Sequence, residues 1–175
     1  MMMSNEEEVE IYIEVLADYN EGHSYGEWIN LSPDMDEDDI REAINEVLAK
    51  SPIAAKTGQP SKEYLVSYDG NCPDMGEYPG IDELANFCEA WDGYNGEIVK
   101  AIVEYFGTGY GFSILEDQSY SVYCSNDEVV DSWLEGITIP DQLERHIDRD
   151  SIFRMLETEG TFIEAGSGML IEVYS

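Results

Sequence analysis

The sequence is poor in basic residues. It has 8 lysines and arginines against 39 aspartates and glutamates, which gives a net charge of −31 at pH 7. A surface with so few cations repels nucleic acid and anionic membranes and attracts basic protein surfaces. We therefore expect neither nucleic acid nor a membrane as a partner.

Cysteines and long apolar runs are also scarce. Cys72, Cys88 and Cys124 include no C-x-x-C pair, so neither a disulfide framework nor a zinc site is indicated. No apolar run approaches the length of a membrane span, and the acidic segment 1–8 lacks the positive and apolar regions of a secretory signal. These features predict a protein of a reducing cytoplasm.

The apolar content is nevertheless sufficient for a folded core. The chain is 43% hydrophobic and 11% aromatic, whereas an acidic disordered chain has little apolar material with which to offset the entropy of ordering. Its 175 residues fit one compact domain, or two or three small ones in a row.

The acids are spread along the whole chain. Residues 4–40 hold 13 of them, 63–99 hold 9 and 101–144 hold 9, and all three stretches lack lysine and arginine. An acidic tail would instead be a single block of like charge. The negative potential therefore belongs to the folded elements.

Hydrophobic periodicity predicts an α+β fold of small mixed sheets with short helices, divided into up to three consecutive subdomains. Alternating apolar residues indicate strands, and apolar residues at helical spacing indicate helices. The last two strands of the chain are predicted to form a hairpin across a Gly-rich turn. Residues 51–62 are predicted to be a loop. The predicted strands are 9–16, 26–31, 63–68, 120–124, 161–164 and 169–174, and the predicted helices are 36–49, 81–91, 97–106, 126–135, 140–147 and 151–159.

These elements group into three consecutive parts. Residues 1–70 form an N-terminal α/β unit in which the third strand returns to the sheet of the first two, 71–115 form a middle helical unit, and 116–175 form C-terminal helices followed by a β-hairpin. Asn126 is the expected N-cap of the first C-terminal helix.

Two segments superficially resemble ligand-binding loops. Residues 34–38 begin like an EF-hand, but the positions of the turn glycine and the bidentate glutamate hold Asp39 and Asn45, so an acid-rich helix N-terminus is the better interpretation. The G-x-G-x-G run at 107–111 follows a helix and has neither the dinucleotide spacing nor a nearby cation, which favours a helix-ending turn. We expect no metal and no cofactor.

The sequence gives little support for catalysis. His23 and His146 stand outside any G-x-S-x-G or H-E-x-x-H motif, and Cys88 lies on the apolar face of its helix without an electropositive setting. Tyr19, Tyr25 and Trp28 are interpreted as core and edge aromatics. Among 39 acids some carboxylates must be close together, so an acid-catalysed hydrolase is only a weak alternative, and we expect no enzyme.

The acids on predicted helices have a more specific interpretation. Carboxylates three or four residues apart are neighbours at about 5–6 Å, an arrangement that costs stability unless it serves a purpose. A charge of −31 equals that of roughly 50 Å of duplex DNA, or about 15 base pairs. We therefore interpret these acids as a surface that imitates DNA, the alternative being halophilic solvation or solubility alone. The candidate residues are Asp34, Asp36, Asp38, Asp39, Glu42, Glu46, Asp82, Glu83, Glu89, Asp127, Glu128, Asp131, Glu135, Asp141, Glu144, Asp148 and Asp150.

A strand at residues 11–13 precedes a Y-N-x-G-x-x-x-G-x-W pattern at 19–28. This pattern resembles the N-terminal motif of a known family, the ArdA-type antirestriction proteins. Further similar segments follow in the family's order, at 68–70, 77–81, 139–148, 160–164 and 173–174.

This resemblance implies an elongated three-part protein, typically dimeric, that mimics bent DNA and occupies the DNA groove of Type I restriction-modification enzymes. Its implied role is to protect incoming plasmid, transposon or phage DNA. Two alternatives stay open from the residues alone. One is a DNA mimic aimed at another defence system such as a CRISPR effector, and the other is an acidic adaptor or chaperone for a basic DNA-binding protein.

Overall fold

A computed structural model describes residues 9–91 and 95–174. The segment 1–8, for which the sequence predicts no secretory signal, lies outside the described residues. The chain divides into two compact units, the first ending at Phe112 and the second beginning at Ser113. Each is described separately below.

The first unit is built on a three-stranded antiparallel sheet. Strands β1 (Val9–Val15), β2 (Gly26–Leu31) and β3 (Tyr64–Asp69) lie in the order β2-β1-β3, so the third strand returns to the sheet of the first two, as predicted. Every second residue of β1, from Val9 to Val15, is fully buried. The alternation in the sequence thus fixes one face against the core and leaves the other open.

Three helices accompany this sheet: α1 (Leu16–Asn20), α2 (Glu37–Lys50) and α3 (Pro52–Thr57). Helix α2 presents Ile40, Ile44, Val47 and Leu48 to the core. Helix α3 corrects the prediction of a loop at 51–62. The hydroxyl of Ser51 accepts a hydrogen bond from the N–H of Ala54, Pro52 occupies the first turn, and Gly58 ends the helix with φ 75°.

Helices α4 (Ile81–Trp91), α5 (Gly96–Phe106) and α6 (Thr108–Glu116) follow, and the boundary between the units falls within α6. The G-x-G-x-G run does end α5, since Gly107 stands at φ 80°, but a further helix begins directly after it. A Cβ on Gly111 would lie 2.9 Å from the Cα of Val103. The run therefore serves a chain turn and a close backbone approach.

The second unit has its own three-stranded antiparallel sheet. Strands β4 (Tyr120–Tyr123), β5 (Thr161–Glu164) and β6 (Leu170–Val173) lie in the order β4-β6-β5, with the predicted hairpin formed by β5 and β6. Helices α7 (Asn126–Leu134), α8 (Asp141–Glu144) and α9 (Arg149–Glu159) complete this unit. Its core contains Val129, Val130, Phe153 and Leu170.

The α+β class is confirmed, with both sheets antiparallel throughout instead of mixed. Two details of the second unit differ from expectation. The N-cap of α7 is Ser125, whose hydroxyl accepts a hydrogen bond from the N–H of Glu128, and not Asn126. Helix α8 spans four residues of the helix predicted at 140–147.

Candidate interaction surface

The candidate acids lie almost entirely at the surface. All of them are exposed except Glu83, which is half-buried. They nevertheless divide into two groups. One group is engaged by a local hydrogen bond or a cation, and the other has no such partner in the described part of the chain. The second group comprises Glu42, Glu46, Asp82, Glu89, Glu135, Asp141, Glu144 and Asp150.

Helix α2 shows both groups on one element. The carboxylate of Asp36 accepts hydrogen bonds from the N–H groups of Asp38 and Asp39, at 2.9 and 3.0 Å, and Asp39 in turn accepts one from the N–H of Asp36 at 3.1 Å. This capping box satisfies backbone donors that the helix itself leaves open. It confirms the interpretation of residues 34–38 as an acid-rich helix N-terminus.

Three acids of α2 form a row along its exposed side. Asp38, Glu42 and Glu46 follow at intervals of four residues, hence on one ridge with a rise of about 6 Å between neighbours. Arg41 Nη1 lies 2.7 Å from Asp38 Oδ1, so the first member of the row is paired. Among the residues that the structure describes, Glu42 and Glu46 have neither a hydrogen-bond nor an ion-pair partner.

Helix α4 carries three candidate acids with different surroundings. Asp82 and Glu89 are exposed and lie two turns apart, on the same side of the helix. Glu83 accepts hydrogen bonds from the N–H of Gly80 at 2.8 Å and from the hydroxyl of Thr108 at 2.6 Å. Glu83 therefore holds the start of α4 in place and offers less free charge than the sequence suggested.

Helix α7 carries a second acidic row, which is bridged by a cation. Arg149, at the start of α9, donates to Asp127 Oδ1 at 3.0 Å and to Asp131 Oδ1 at 2.5 Å. These two hydrogen bonds, the stronger one to Asp131, raise the pKa of the Arg149 guanidinium. Glu135, one turn beyond, has no partner within residues 9–91 and 95–174. Glu128 accepts a hydrogen bond from the N–H of Cys124.

The acids around α8 and α9 are mostly unengaged. Asp141, Glu144 and Asp150 are exposed, whereas Asp148 caps α9 by accepting hydrogen bonds from Ser151. The hydroxyl of Ser151, followed by its N–H, holds the pKa of Asp148 below its ordinary value. A carboxylate with a lowered pKa stabilises the fold above its unfolded pKa and loses that effect as the pH falls through the folded pKa.

Three further ion pairs involve acids outside the two rows, and one of them joins Arg41 Nη2 to Glu37 Oε2 at 3.8 Å. Lys50 Nζ is 3.6 Å from Glu27 and Lys56 Nζ is 3.0 Å from Glu21, with all four side chains at least one-third exposed. Exposed pairs of this kind contribute little to stability. The cations therefore leave most of the negative surface charge uncompensated, which is the property that any function must explain.

Residues 11–170 match the sequence model of a family described as antirestriction protein (ArdA). The chain belongs to the ArdA antirestriction family. Comparison with curated proteins gave no match. The family match confirms the resemblance predicted from the N-terminal motif, and it extends over nearly the whole chain.

Membership in the ArdA family gives the acidic surface its functional context. ArdA proteins oppose restriction, so they act as inhibitors and not as enzymes. Restriction enzymes bind DNA, and an acidic surface is suited to the basic residues that such enzymes present. The family match thus supports antirestriction as the activity of this chain.

Sites for other chemistry have little support. In residues 9–91 and 95–174, no group of three histidine, cysteine or acidic side chains is arranged to hold a metal ion. Burial raises the pKa of the Cys88 thiol to about 11 and that of Cys72 further, so both thiols are poor nucleophiles. The core position predicted for Cys88 is confirmed, and His23 and His146 are exposed.

The membrane question has a direct answer for the described helices: none combines the length and apolar character needed to span a bilayer.

Two aromatic residues of the N-terminal motif, which were predicted to be core or edge aromatics, lie outside the core. Tyr19 and Trp28 are 61% and 51% exposed, and Trp28 is an aromatic residue of the edge strand β2, as the prediction allowed. Trp28 lies on the open face of the first sheet, where its ring centroid is 5.1 Å from that of Tyr12. The sequence signal for this was present, since Tyr12 lies among the outward-facing residues of an alternating strand.

Proposed function

We propose that this ArdA protein inhibits Type I restriction-modification enzymes by occupying their DNA-binding groove in place of DNA, and so protects incoming phage or mobile-element DNA. The observation that carries the proposal is the distribution of mostly exposed acids over the helices of both units, and eight of these acids have no hydrogen bond or cation in the described part of the chain. The protein acts in the bacterial cytoplasm as a binding protein, without catalysis or cofactor.

The charge density of a single helix is too low for local mimicry. Helix α2 is about 21 Å long and carries five acids and two bases, whereas a duplex of that length carries about 12 charges. One helix therefore has about a quarter of the density of DNA. The proposal consequently requires a collective field to which both units contribute, with the unpaired acids contributing most.

Competition with DNA tests the proposal. A labelled duplex bound to a purified Type I methyltransferase core should be displaced by this protein at low salt. Binding to the core without displacement would support an acidic adaptor. Displacement only from a different DNA-binding enzyme, such as a CRISPR effector, would move the target to another defence system.

Two matched variants test the collective nature of the field. The double change Glu42→Gln and Glu46→Gln removes two unpaired charges from α2, and Glu157→Gln with Glu159→Gln removes two exposed charges from α9. A collective field predicts similar losses of inhibition for both pairs. A discrete contact on α2 predicts a loss confined to the first pair.

We also propose that the protein is a homodimer. Three large apolar side chains of the second unit, Trp133, Ile137 and Leu143, are between 41% and 55% exposed. Exposed apolar surface of this kind favours association. Light scattering coupled to gel filtration should give twice the 19.8 kDa mass of the chain, and a monomeric mass at micromolar concentration would refute the dimer.

A further inference from the structure

The open face of the first sheet is not explained by DNA mimicry. The strand register places three residues of each strand on this face: Glu10, Tyr12 and Glu14 from β1, Gly26, Trp28 and Asn30 from β2, and Leu65, Ser67 and Asp69 from β3. These nine positions hold two aromatic rings and three carboxylates but no cation. The face is therefore both aromatic and acidic.

The two rings form a defined platform at the centre of this face. Tyr12 lies directly opposite Trp28 in the register, and their planes are tilted by 55°. A Cβ on Gly26 would lie 2.6 Å from the ring of Tyr12 and 2.4 Å from the carbonyl oxygen of Ile13. The glycine two residues before Trp28 thus leaves room for the Tyr12 ring, and the G-x-W spacing of the motif has a structural reason.

Carboxylates surround this platform. Glu10 and Glu14 flank Tyr12 on the same face of β1, and Asp69 lies opposite Glu10 on β3. The hydroxyl of Ser24 donates a hydrogen bond to Glu14 at 3.1 Å. A flat cation receives two complementary interactions here, one with the electron-rich ring faces and one with the surrounding carboxylates.

We propose that the open face of the β2-β1-β3 sheet binds an arginine side chain on the basic surface of the target protein, with the guanidinium stacked on Trp28. The choice of arginine over lysine follows from its planar, weakly hydrated head group, which stacks on aromatic rings. The outer surface of duplex DNA offers no such exposed ring, so this contact would make the affinity of the inhibitor for its target less dependent on charge. The inference rests on the proposed function for the identity of the target.

Charge decides between this occupant and a second copy of the chain. A copy would bring a surface from a protein of net charge −31 against three more carboxylates, which like-charge repulsion opposes. A basic protein surface is attracted instead. The face is therefore assigned to a cationic partner.

Peptide probes test this face independently of any restriction enzyme. Affinities for fluorescein-labelled deca-arginine and deca-lysine are measured by fluorescence anisotropy, first with the unaltered protein, at two salt concentrations. We expect a preference for deca-arginine that is retained at the higher salt. Equal affinities for the two peptides would overturn the proposal.

Substitutions at the platform then locate the preference. Trp28→Leu should lower deca-arginine affinity by about three- to thirtyfold and abolish the preference, whereas Trp28→Phe should restore part of it. The matched double change Glu42→Gln and Glu46→Gln should lower the affinities for deca-arginine and deca-lysine by equal factors. Because Trp28 is 51% exposed, thermal unfolding should show that both variants remain folded.

The remaining outcomes are distinct. A preference for deca-arginine that survives Trp28→Leu would overturn the assignment. A Trp28→Leu protein whose mass falls from dimer to monomer would also overturn it, because the face would then serve self-association. DNA displacement without an arginine preference would refute this inference and leave the proposed function intact. An arginine preference without DNA displacement would refute the proposed function and leave the arginine-binding face intact.

Discussion

Removing the acceptor that caps helix α2 should destabilise the first unit by a calculable amount. Asp36→Ala deletes a carboxylate that accepts two backbone hydrogen bonds, from Asp38 and Asp39. Loss of such a cap costs about 1 kcal/mol and up to about 2. In a domain of about 100 residues, 1 kcal/mol lowers the melting temperature by roughly 4 °C.

Asp36→Asn is the matched control, because its amide oxygen can accept the same hydrogen bonds while the charge is lost. The first turn of α2 also contains Glu37, Asp38 and Asp39, so removing one charge relieves repulsion and offsets part of the lost interaction with the helix dipole. We expect Asp36→Asn to melt within about 2 °C of the parent protein.

Thermal unfolding followed by circular dichroism at 222 nm measures both variants. Equal losses in Asp36→Ala and Asp36→Asn would show that the charge of residue 36, and not its hydrogen bonds, stabilises the helix. An unchanged melting temperature in Asp36→Ala would refute the capping argument altogether. Added calcium should leave all three proteins unchanged, because the acids at this position serve the helix backbone.

Three further predictions concern other parts of the chain. Gly26→Ala should lower the free energy of unfolding in urea by about 1–3 kcal/mol, because the added methyl group collides with the Tyr12 ring. The control Gly109→Ala should be neutral or stabilising, because a methyl group there meets no atom within 4 Å. Equal effects of the two changes would refute the close approach of Gly26 to Tyr12. A maleimide should label one cysteine per native chain, Cys124, and all three after denaturation, and rapid labelling of the buried thiols would contradict their core position. Arg149→Gln should lower the urea midpoint of unfolding, because the ion pairs with Asp127 and Asp131 are lost. It should also raise the affinity for a basic target severalfold, because the acidic row of α7 is no longer neutralised by the cation. Weaker binding would show that Arg149 belongs to the contact surface.

Local signals in the sequence were sufficient for most of the elements. The strict alternation from Val9 to Val15 determined the strand and its buried face, and the apolar spacing of α2 determined its core side. The missed helices were α1 and α3, which are only five and six residues long, and α6, whose start was interpreted as the turn that ends α5. Ser51 and Pro52 are a typical helix start, but the short helix that follows has too few residues to show a period.

The state of individual acids could not be predicted from the sequence, because it depends on tertiary neighbours. Arg149 reaches Asp127 and Asp131 across 22 and 18 positions of the chain, and Thr108 reaches Glu83 across 25. The sequence therefore identified an acidic surface but not which of its charges are free. The exposure of Trp28 is a different case, because the alternation of β1, in which Tyr12 faces outward opposite Trp28, indicated which face of the sheet stays open.

The dependence of target binding on salt tests DNA mimicry most directly. We predict that the affinity of this protein for a purified Type I methyltransferase core falls steeply between 50 and 200 mM salt, as expected for charge-dominated binding. The decline should be shallower than that of a 15-base-pair duplex on the same enzyme, because α2 has about a quarter of the charge density of DNA. An affinity that stays flat across this range would contradict the account, since it would show that apolar contacts, and not the negative field, hold the complex together.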